Sequence, residues 1–497
     1  MRPLVTPDEM AAADRAVVEA GTPVEVLMER AGRAAARAAI EMMGGRYGKR
    51  VVVVCGKGSN GGDGSVAARV LASEGVSVRC LFVVDETETT GAARHHMELA
   101  RERGVRIEPF APDRLAGADI IVDAIFGTGF RGKVEGRAAD AIRAIRDVDV
   151  PVLAIDIPSG LDGHLGVVGP THVVADVTLA IAAEKIGTFI SPEAVGVVDV
   201  VDIGIPVGSA DASVVQGTDV RRWLPEQDVD EHKRSRGALA ILAGADDMTG
   251  AAALVVRGAL RAGCGYVMLG CTARVAAIVQ ETCPEALVYV VSDSDRLDPS
   301  ALDRFSSALD KATAMAIGPG LGRGDDQSKL VERVLADVDL PIVLDADGLN
   351  AVHGATDLLA RRGEGLIITP HPAELARLAD TTVDAIQRDR VAAARSAARS
   401  FRCDVLLKGH RSVIVTASGA TYLNPTGGPQ LATAGTGDVL TGVIGAFSAA
   451  GWDNSLQAAA YLHGLAGDLA GDNGVVAWDV AEAFPDAMGL TRDGTTL

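Results

Sequence analysis

Arg50-Val51-Val52-Val53-Val54-Cys55-Gly56-Lys57-Gly58-Ser59-Asn60-Gly61-Gly62-Asp63-Gly64 decides how the first half of this 497-residue chain folds. An unbroken apolar run after one arginine suits a strand buried on both faces, as in a parallel sheet. A glycine-rich loop follows, and then a helix is expected over 65–73. Gly56, Gly58 and Gly61 satisfy the G-x-G-x-x-G pattern of dinucleotide folds. Asn60 to Asp63 add a polar, acidic tip, however, and Asp63 would repel a pyrophosphate there. The next strand (76–84) ends in Asp85, so a dinucleotide-dependent oxidoreductase stays open as an alternative.

Working outward, Thr6-Pro7-Asp8-Glu9 opens a helix, Gly21-Thr22-Pro23 breaks it, and 24–43 resumes at helical spacing. Downstream, strand 119–125 runs into Phe126-Gly127-Thr128-Gly129-Phe130-Arg131-Gly132, and strand 152–156 into Ile157-Pro158-Ser159-Gly160-Leu161-Asp162. Parallel strands share one carboxyl edge, where ligands bind. Asn60, Asp123, Asp156 and Ser159 are expected to gather there as an oxygen-rich cluster suited to a hard cation beside a ribose or phosphate. The alternative is that each simply caps the helix or turn that follows.

Residues 207–235 lack sustained periodicity and read as a linker region. Beyond it the strand–loop–helix order restarts, with strands at 238–244, 263–269, 314–318, 341–344, 365–368 and 404–407. Their ends carry Gly318-Pro319-Gly320-Leu321-Gly322, Asp345-Ala346-Asp347-Gly348-Leu349-Asn350, Thr369-Pro370-His371-Pro372-Ala373-Glu374 and Lys408-Gly409-His410-Arg411-Ser412. A second doubly wound α/β domain is expected. Ala434-Gly435-Thr436-Gly437-Asp438 then leads into an apolar helix expected over 439–447. Bare N–H groups and a helix N-terminus make an anion site, and Asp438 beside it suits a base that deprotonates a nucleophile attacking a phosphate. A plain turn with Asp438 as N-cap is the competing reading. No Walker A sequence is present.

Composition limits the classes. Apolar residues make up 48% and aromatics only 3% of the chain, with mean hydropathy +0.22, so Ala, Val, Leu and Ile must fill the cores. A net charge of −19 argues against nucleic-acid binding. Six cysteines without a C-x-x-C pair read as reduced thiols. No apolar run is long enough to span a bilayer, so a soluble, cytoplasmic protein with no membrane partner is expected.

In the first half, C-G-x-G-x-N-G-G-D-G, V-D-A-I-F-G-T-G and D-I-P-S-G-L-D in this order resemble the NAD(P)H-hydrate epimerase domain, and Ala183 to Gly187 and Gly196 to Pro206 fit its C-terminal end. The resemblance implies a Rossmann-like three-layer domain that interconverts the R and S forms of the hydrated nicotinamide ring. It implies potassium held by Asn60, Asp123 and Ser159, with Asp123 moving the proton. Substrate would lie near Ser59, Asn60, Gly61, Gly62, Asp63, Gly127, Thr128, Gly129, Phe130, Arg131, Gly132, Lys133 and Asp156. The same fold also serves as a non-enzymatic scaffold, which would be expected to lose these acidic loop residues.

In the second half, G-P-G-L-G, D-A-D-x-L-N, T-P-H-P-x-E, K-G-H-R-S and A-G-T-G-D together resemble the ADP/ATP-dependent NAD(P)H-hydrate dehydratase of the ribokinase-like superfamily. That implies phosphorylation of the ring hydroxyl by ADP or ATP, with Mg2+ on the phosphates, then loss of phosphate to regenerate NAD(P)H. Asp438 would take the hydroxyl proton. Lys408, Gly409, His410, Arg411, Ser412, Gly435, Thr436 and Gly437 would hold nucleotide, while Ala253, Gly322, His371 and Asp438 would face the hydrated dinucleotide. His371 between prolines also reads as a turn cap, and Lys408 as a solvated charge. Expected boundaries are 1–212 for the epimerase domain, 213–232 for the linker and 233–497 for the dehydratase domain, in a homo-oligomer. A ribokinase-type kinase acting on another alcohol remains the alternative for this half.

Overall fold

The computed structural model describes residues 1–208, 210–225 and 233–494. The chain divides into two compact units, residues 3–212 and residues 213–497 with 1–2. The segment assigned to a linker is only partly one. Gly217–Trp223 is a helix, and Val215, Val220 and Leu224 are buried in the core of the second unit. Three apolar contacts spread over ten mostly polar residues are too sparse to show as periodicity. The linker residues 226–232 lie outside the described residues.

The N-terminal unit holds a parallel sheet of β1 (Arg50–Cys55), β2 (Ser77–Phe82), β3 (Arg106–Pro109), β4 (Ile120–Ala124), β5 (Val152–Ile155), β6 (Val177–Ile181) and β7 (Val197–Val201). Their order is β3-β2-β1-β4-β5-β6-β7, every pair parallel. Strand alternation explains the unbroken valines of β1. Val51, Val53 and Cys55 pack in one core, with the helices Val24–Met42 and Ser59–Ser73. Val52 and Val54 pack in the other, with Gly136–Asp147. The chain reverses its direction of travel across the sheet between β1 and β4, which opens a crevice at their carboxyl ends.

One expectation changes here. The helix after β1 starts at Ser59 rather than 65, so Asn60 to Asp63 form its first turn, not a loop tip. Gly61 permits this. A Cβ on it would lie 1.9 Å from the Gly56 carbonyl oxygen, so the helix can fold back on its own loop only with glycine there.

The C-terminal unit has β8 (Ala238–Leu242), β9 (Tyr266–Thr272), β10 (Leu287–Ser292), β11 (Ala314–Ile317), β12 (Ile342–Leu344), β13 (Leu366–Ile368), β14 (Asp404–Leu407), β15 (Val413–Val415) and β16 (Thr421–Leu423). These run β10-β9-β8-β11-β12-β13-β14-β15-β16, parallel as far as β14 and antiparallel beyond it. The polar loops after β11 to β14 therefore share one edge. Helix Thr436–Ala449, longer at both ends than 439–447, is buried almost throughout. It packs backbone to backbone on helix Thr249–Arg261. A Cβ on Gly442 would lie 2.0 Å from the Val255 carbonyl oxygen, and one on Gly258 would lie 2.4 Å from that of Val439.

Gly442→Ala is expected to cost about 3 kcal/mol, because rigid backbone opposes the new methyl group. Gly489→Ala, on the exposed side of helix Ala477–Asp493 with nothing near a Cβ, should gain about 0.5–1 kcal/mol. Urea titration of the two variants checks the opposite signs.

Candidate functional sites

In the N-terminal unit the first cluster forms where β4 and β5 end. Asp123 is fully buried and its carboxylate accepts from Ser159 N (2.8 Å), Ser159 Oγ (2.7 Å) and Ile125 N (3.2 Å). Ser159 Oγ in turn accepts from Phe126 N at 2.9 Å, and Asn60 Nδ2 donates to Phe126 O at 2.8 Å. Asp123 caps the turn that follows it through Ile125 N and, beyond that, bridges to the loop carrying Ser159. Burial raises its carboxyl to about 6, against the opposing pull of the Ser159 hydrogen bonds. Asn60 Oδ1 is buried without a hydrogen-bond partner among the described residues. An orphaned amide oxygen beside a carboxylate, a hydroxyl and a carbonyl is a donor set that fits a cation bound through oxygen.

Beside this cluster stands Asp156, in the left-handed region at φ 69°. One of its oxygens accepts from Thr128 N (3.0 Å) and Thr128 Oγ1 (2.5 Å), and the other pairs with Lys185. Lys185 is completely buried and also donates to Ile181 O at 2.9 Å. Burial pushes the Asp156 carboxyl up, but Lys185 and Thr128 outweigh it, and the group lies below its ordinary value. Asp63 goes the other way. Burial first, then the charges of Asp156 and Asp14, hold its carboxyl well above the usual range. Lys185 is not among the site residues expected from the sequence; the available signal is the Glu184-Lys185 pair set inside an otherwise apolar run.

In the C-terminal unit, Lys408 Nζ lies 2.7 Å from Asp345 Oδ1, and Thr441 Oγ1 donates to Asp345 Oδ2 at 2.6 Å. Lys408 is thus no solvated charge. The ammonium sits over the start of helix Thr436–Ala449, since a Cβ on Gly437 would be 3.3 Å from Nζ. The first N–H to bond back along that helix is that of Val439, to Gly435 O at 3.1 Å. Those of Thr436, Gly437 and Asp438 precede the ladder and are available to an anion. Behind them, buried His463 bonds Thr436 O through Nε2 at 2.9 Å. Burial depresses His463 to about 4, so the ring is neutral and Nε2 carries the proton it donates. Thr441 and His463 lie in apolar helices and gave no motif to read.

Neither Asp345 nor Asp347 caps a helix; Asp347 accepts from Gly322 N (3.0 Å) and Asn350 Nδ2 (3.2 Å). His371 does cap one. Its Nδ1 accepts from Ala373 N (3.1 Å) and Glu374 N (3.2 Å), while Glu374 Oε2 accepts from His371 N (2.8 Å). The Arg411 side chain turns back to Pro425 O, and His410 O accepts from Arg390. Ala253 is buried on helix Thr249–Arg261. Asp438 makes no cap bond of its own helix. Burial and then Asp345 lift its carboxyl to about 7, Lys408 pulls it down, and Asp347 and Glu374 add to the rise. A carboxyl poised there, beside an ammonium and a row of N–H groups, can accept a proton while negative charge is stabilised next to it.

Comparison with known proteins identifies the family. Residues 239–485 match the family model described as NAD(P)H-hydrate dehydratase. Residues 24–187 match that of the YjeF-related protein N-terminus. A bifunctional NAD(P)H-hydrate repair enzyme of Moorella thermoacetica is 36% identical, over 97% of this chain and 96% of its own. The chain belongs to the bifunctional NAD(P)H-hydrate repair enzyme family. A Salinibacter ruber member of this repair family is also 36% identical, over 97% of this chain and 95% of its own. A ribokinase-like superfamily protein of Enterococcus faecalis, 22% identical, covers 57% of this chain and 98% of its own with TM-score 0.51. That likeness shows a ribokinase-like fold for the second unit.

Two stability effects follow from the buried charges. Asp438, near 7 when folded and about 4 when unfolded, favours folding when protonated. Its contribution is full below about pH 4 and is lost as pH rises through 7. In the absence of nucleotide, Asp438→Asn should therefore melt higher than wild type at about pH 8 and equally at about pH 4. Lys185→Met strands the Asp156 carboxylate and should cost about 3–5 kcal/mol, with Asp156→Asn in the same chain restoring part of it. Thermal melts across pH and a denaturant cycle measure these.

Proposed function

We propose that the C-terminal unit uses ADP or ATP to phosphorylate the hydroxyl of hydrated NADH or NADPH, and that the N-terminal unit interconverts the R and S forms of the same molecule. Asp438 carries the reading. A carboxyl raised to about 7 at the N-terminus of a buried helix, with Lys408 alongside, suits proton removal from an attacking hydroxyl. The hydroxyl proton passes to Asp438 as the ring oxygen attacks the terminal phosphorus and the nucleotide's bridging P–O bond breaks. The N–H groups of Gly435 to Gly437 and the Lys408 ammonium face the charge on the transferred group. Phosphate then leaves with the C–O electron pair, and loss of a proton from the adjacent carbon restores the ring double bond.

Magnesium, when bound, neutralises charge on the phosphates. Asp345, Asp347 and Glu374 already serve Lys408, Thr441 or backbone N–H groups. The residues therefore fit an ion carried on the nucleotide rather than a protein cage. In the other unit, Asn60, Asp123 and Ser159 would hold potassium, with the partnerless Asn60 Oδ1 as the supporting observation. Asp123 is our proton-moving residue. Asp156 is the second candidate, because its Oδ2 lies only 3.2 Å from where a Cβ on Gly127 would be, against the loop assigned to substrate.

The test is recovery of the near-ultraviolet absorbance of the reduced ring from mixed R and S hydrates, with magnesium, potassium and ADP or ATP. Wild type should restore all of it, Asp438→Ala none, and Asp123→Ala should slow after the S form is consumed. The initial dehydration rate should rise with pH through about 7, as Asp438 ionises. No recovery by wild type with either nucleotide would sink the proposal and leave a kinase acting on another alcohol.

A further inference from the structure

A cleft of about 220 Å³ opens beside Gly322, lined among others by Arg323, Gln327, Ser328, Asn350, His353 and Arg377. We propose that it holds a phosphate group of the dinucleotide substrate, remote from the reacting ring; this rests on the dehydratase reading above.

Position is the first argument. Asp347 lines the cleft, accepts the Gly322 N–H and is one of the charges that raise Asp438, so the cleft adjoins the proposed chemistry. Arg377 lies on helix Pro372–Leu378, which His371 caps. Arg323 directly follows Gly322, and Gly322 and His371 are two of the four residues that the family resemblance sets against the hydrated dinucleotide.

Charge is the second. Arg377 Nη2 donates to the neutral Asn350 Oδ1 at 2.9 Å and has no carboxylate within ion-pair distance among the described residues. Arg323 is largely exposed, and its Nε is 3.7 Å from Asp347 Oδ1. Asp347 is the one carboxylate in the lining, and both its oxygens already accept hydrogen bonds. Helix Asp325–Asp337 begins at the cleft with Gly324 as N-cap and no side-chain cap, so its positive dipole end lies beside the space. Asp325 and Asp326 on that turn do not line the space. A carboxylate-poor lining with two forked cations suits phosphate.

Size is the third. At about 220 Å³ the cleft is below the roughly 300–1,000 Å³ typical of a pocket for a whole drug-sized ligand, which suits one part of a dinucleotide rather than all of it. Only a remote end of the substrate enters it. That end is either the 2′-phosphate of the NADP form or the diphosphate common to both forms.

The experiment compares the full-length wild type with Arg323→Gln and Arg377→Gln, using (S)-hydrates of NADH and NADPH at saturating ATP. Each variant should raise KM about tenfold, with kcat little changed. A rise confined to the NADPH hydrate assigns the 2′-phosphate, and a rise for both hydrates assigns the diphosphate. Unchanged KM for both, or a rise in KM for ATP instead, overturns the proposal. Calorimetric titration of the same proteins with NADP+ and NAD+ reads the cleft without turnover. If wild type dehydrates neither hydrate, the dehydratase reading has failed, whereas loss of NADP+ or NAD+ binding in the variants still reports on the cleft.

Discussion

The C-terminal site depends on how one half-buried lysine is neutralised. Lys408 follows a strand end with its side chain 21% exposed, where an unpaired ammonium would be costly. Asp345, at the end of β12 two strands away, supplies one oxygen to it and the other to Thr441 on the helix behind. Two strand ends and the helix are thereby locked together through a single carboxylate. The same carboxylate sets the behaviour of Asp438, because after burial it is the largest cause of the raised value. A structural ion pair and a poised carboxyl are here two consequences of one placement.

The N-terminal unit solves a related problem with different parts. Lys185 is more deeply buried than Lys408 and pairs with Asp156, again an aspartate at a strand end in a parallel sheet. Both aspartates sit at unusual backbone. Asp156 itself has φ 69°, and Ala346, just after Asp345, has φ 50°. The turn needed to aim each carboxylate back across the edge places a non-glycine residue in the left-handed region, a cost of order 1–3 kcal/mol. It is tolerated because the ion pair over-determines the position. The outcomes differ in sign. Lys185 and Thr128 pull Asp156 below its ordinary value, whereas Asp438, crowded by Asp345, Asp347 and Glu374, goes above.

Much of this architecture was legible because the first sheet is parallel throughout and the second is parallel as far as β14. An apolar run flanked by a glycine-rich polar loop announces each strand, and the polar residues at its end announce the ligand-binding edge. The strands after β5 in the first unit were less visible, since Val197–Val201 is half exposed and interrupted by Asp199. Residues whose role comes from tertiary contact could not be read at all. Thr441 and His463 look like ordinary helix residues until the fold brings Asp345 and Thr436 to them. Lys408 is the instructive case. From sequence a lysine at a strand end is as plausible in solvent as in a site, and only the location of Asp345, 63 residues earlier, decides it.

Overall charge and local charge also have to be separated. Nucleotides and dinucleotides are anions, yet the chain carries −19, so long-range repulsion works against their capture. Binding must rest on short-range groups that are already oriented and partly desolvated, above all the ammonium over Gly437 and the N–H groups opening helix Thr436–Ala449. Within about a Debye length, ~8–10 Å at ordinary ionic strength, such groups outweigh a diffuse surface field. An acidic exterior with cationic, backbone-lined recesses favours anions that can enter and fill those recesses over polyanions that would have to lie across the surface. This is the selectivity that a small-molecule repair enzyme requires.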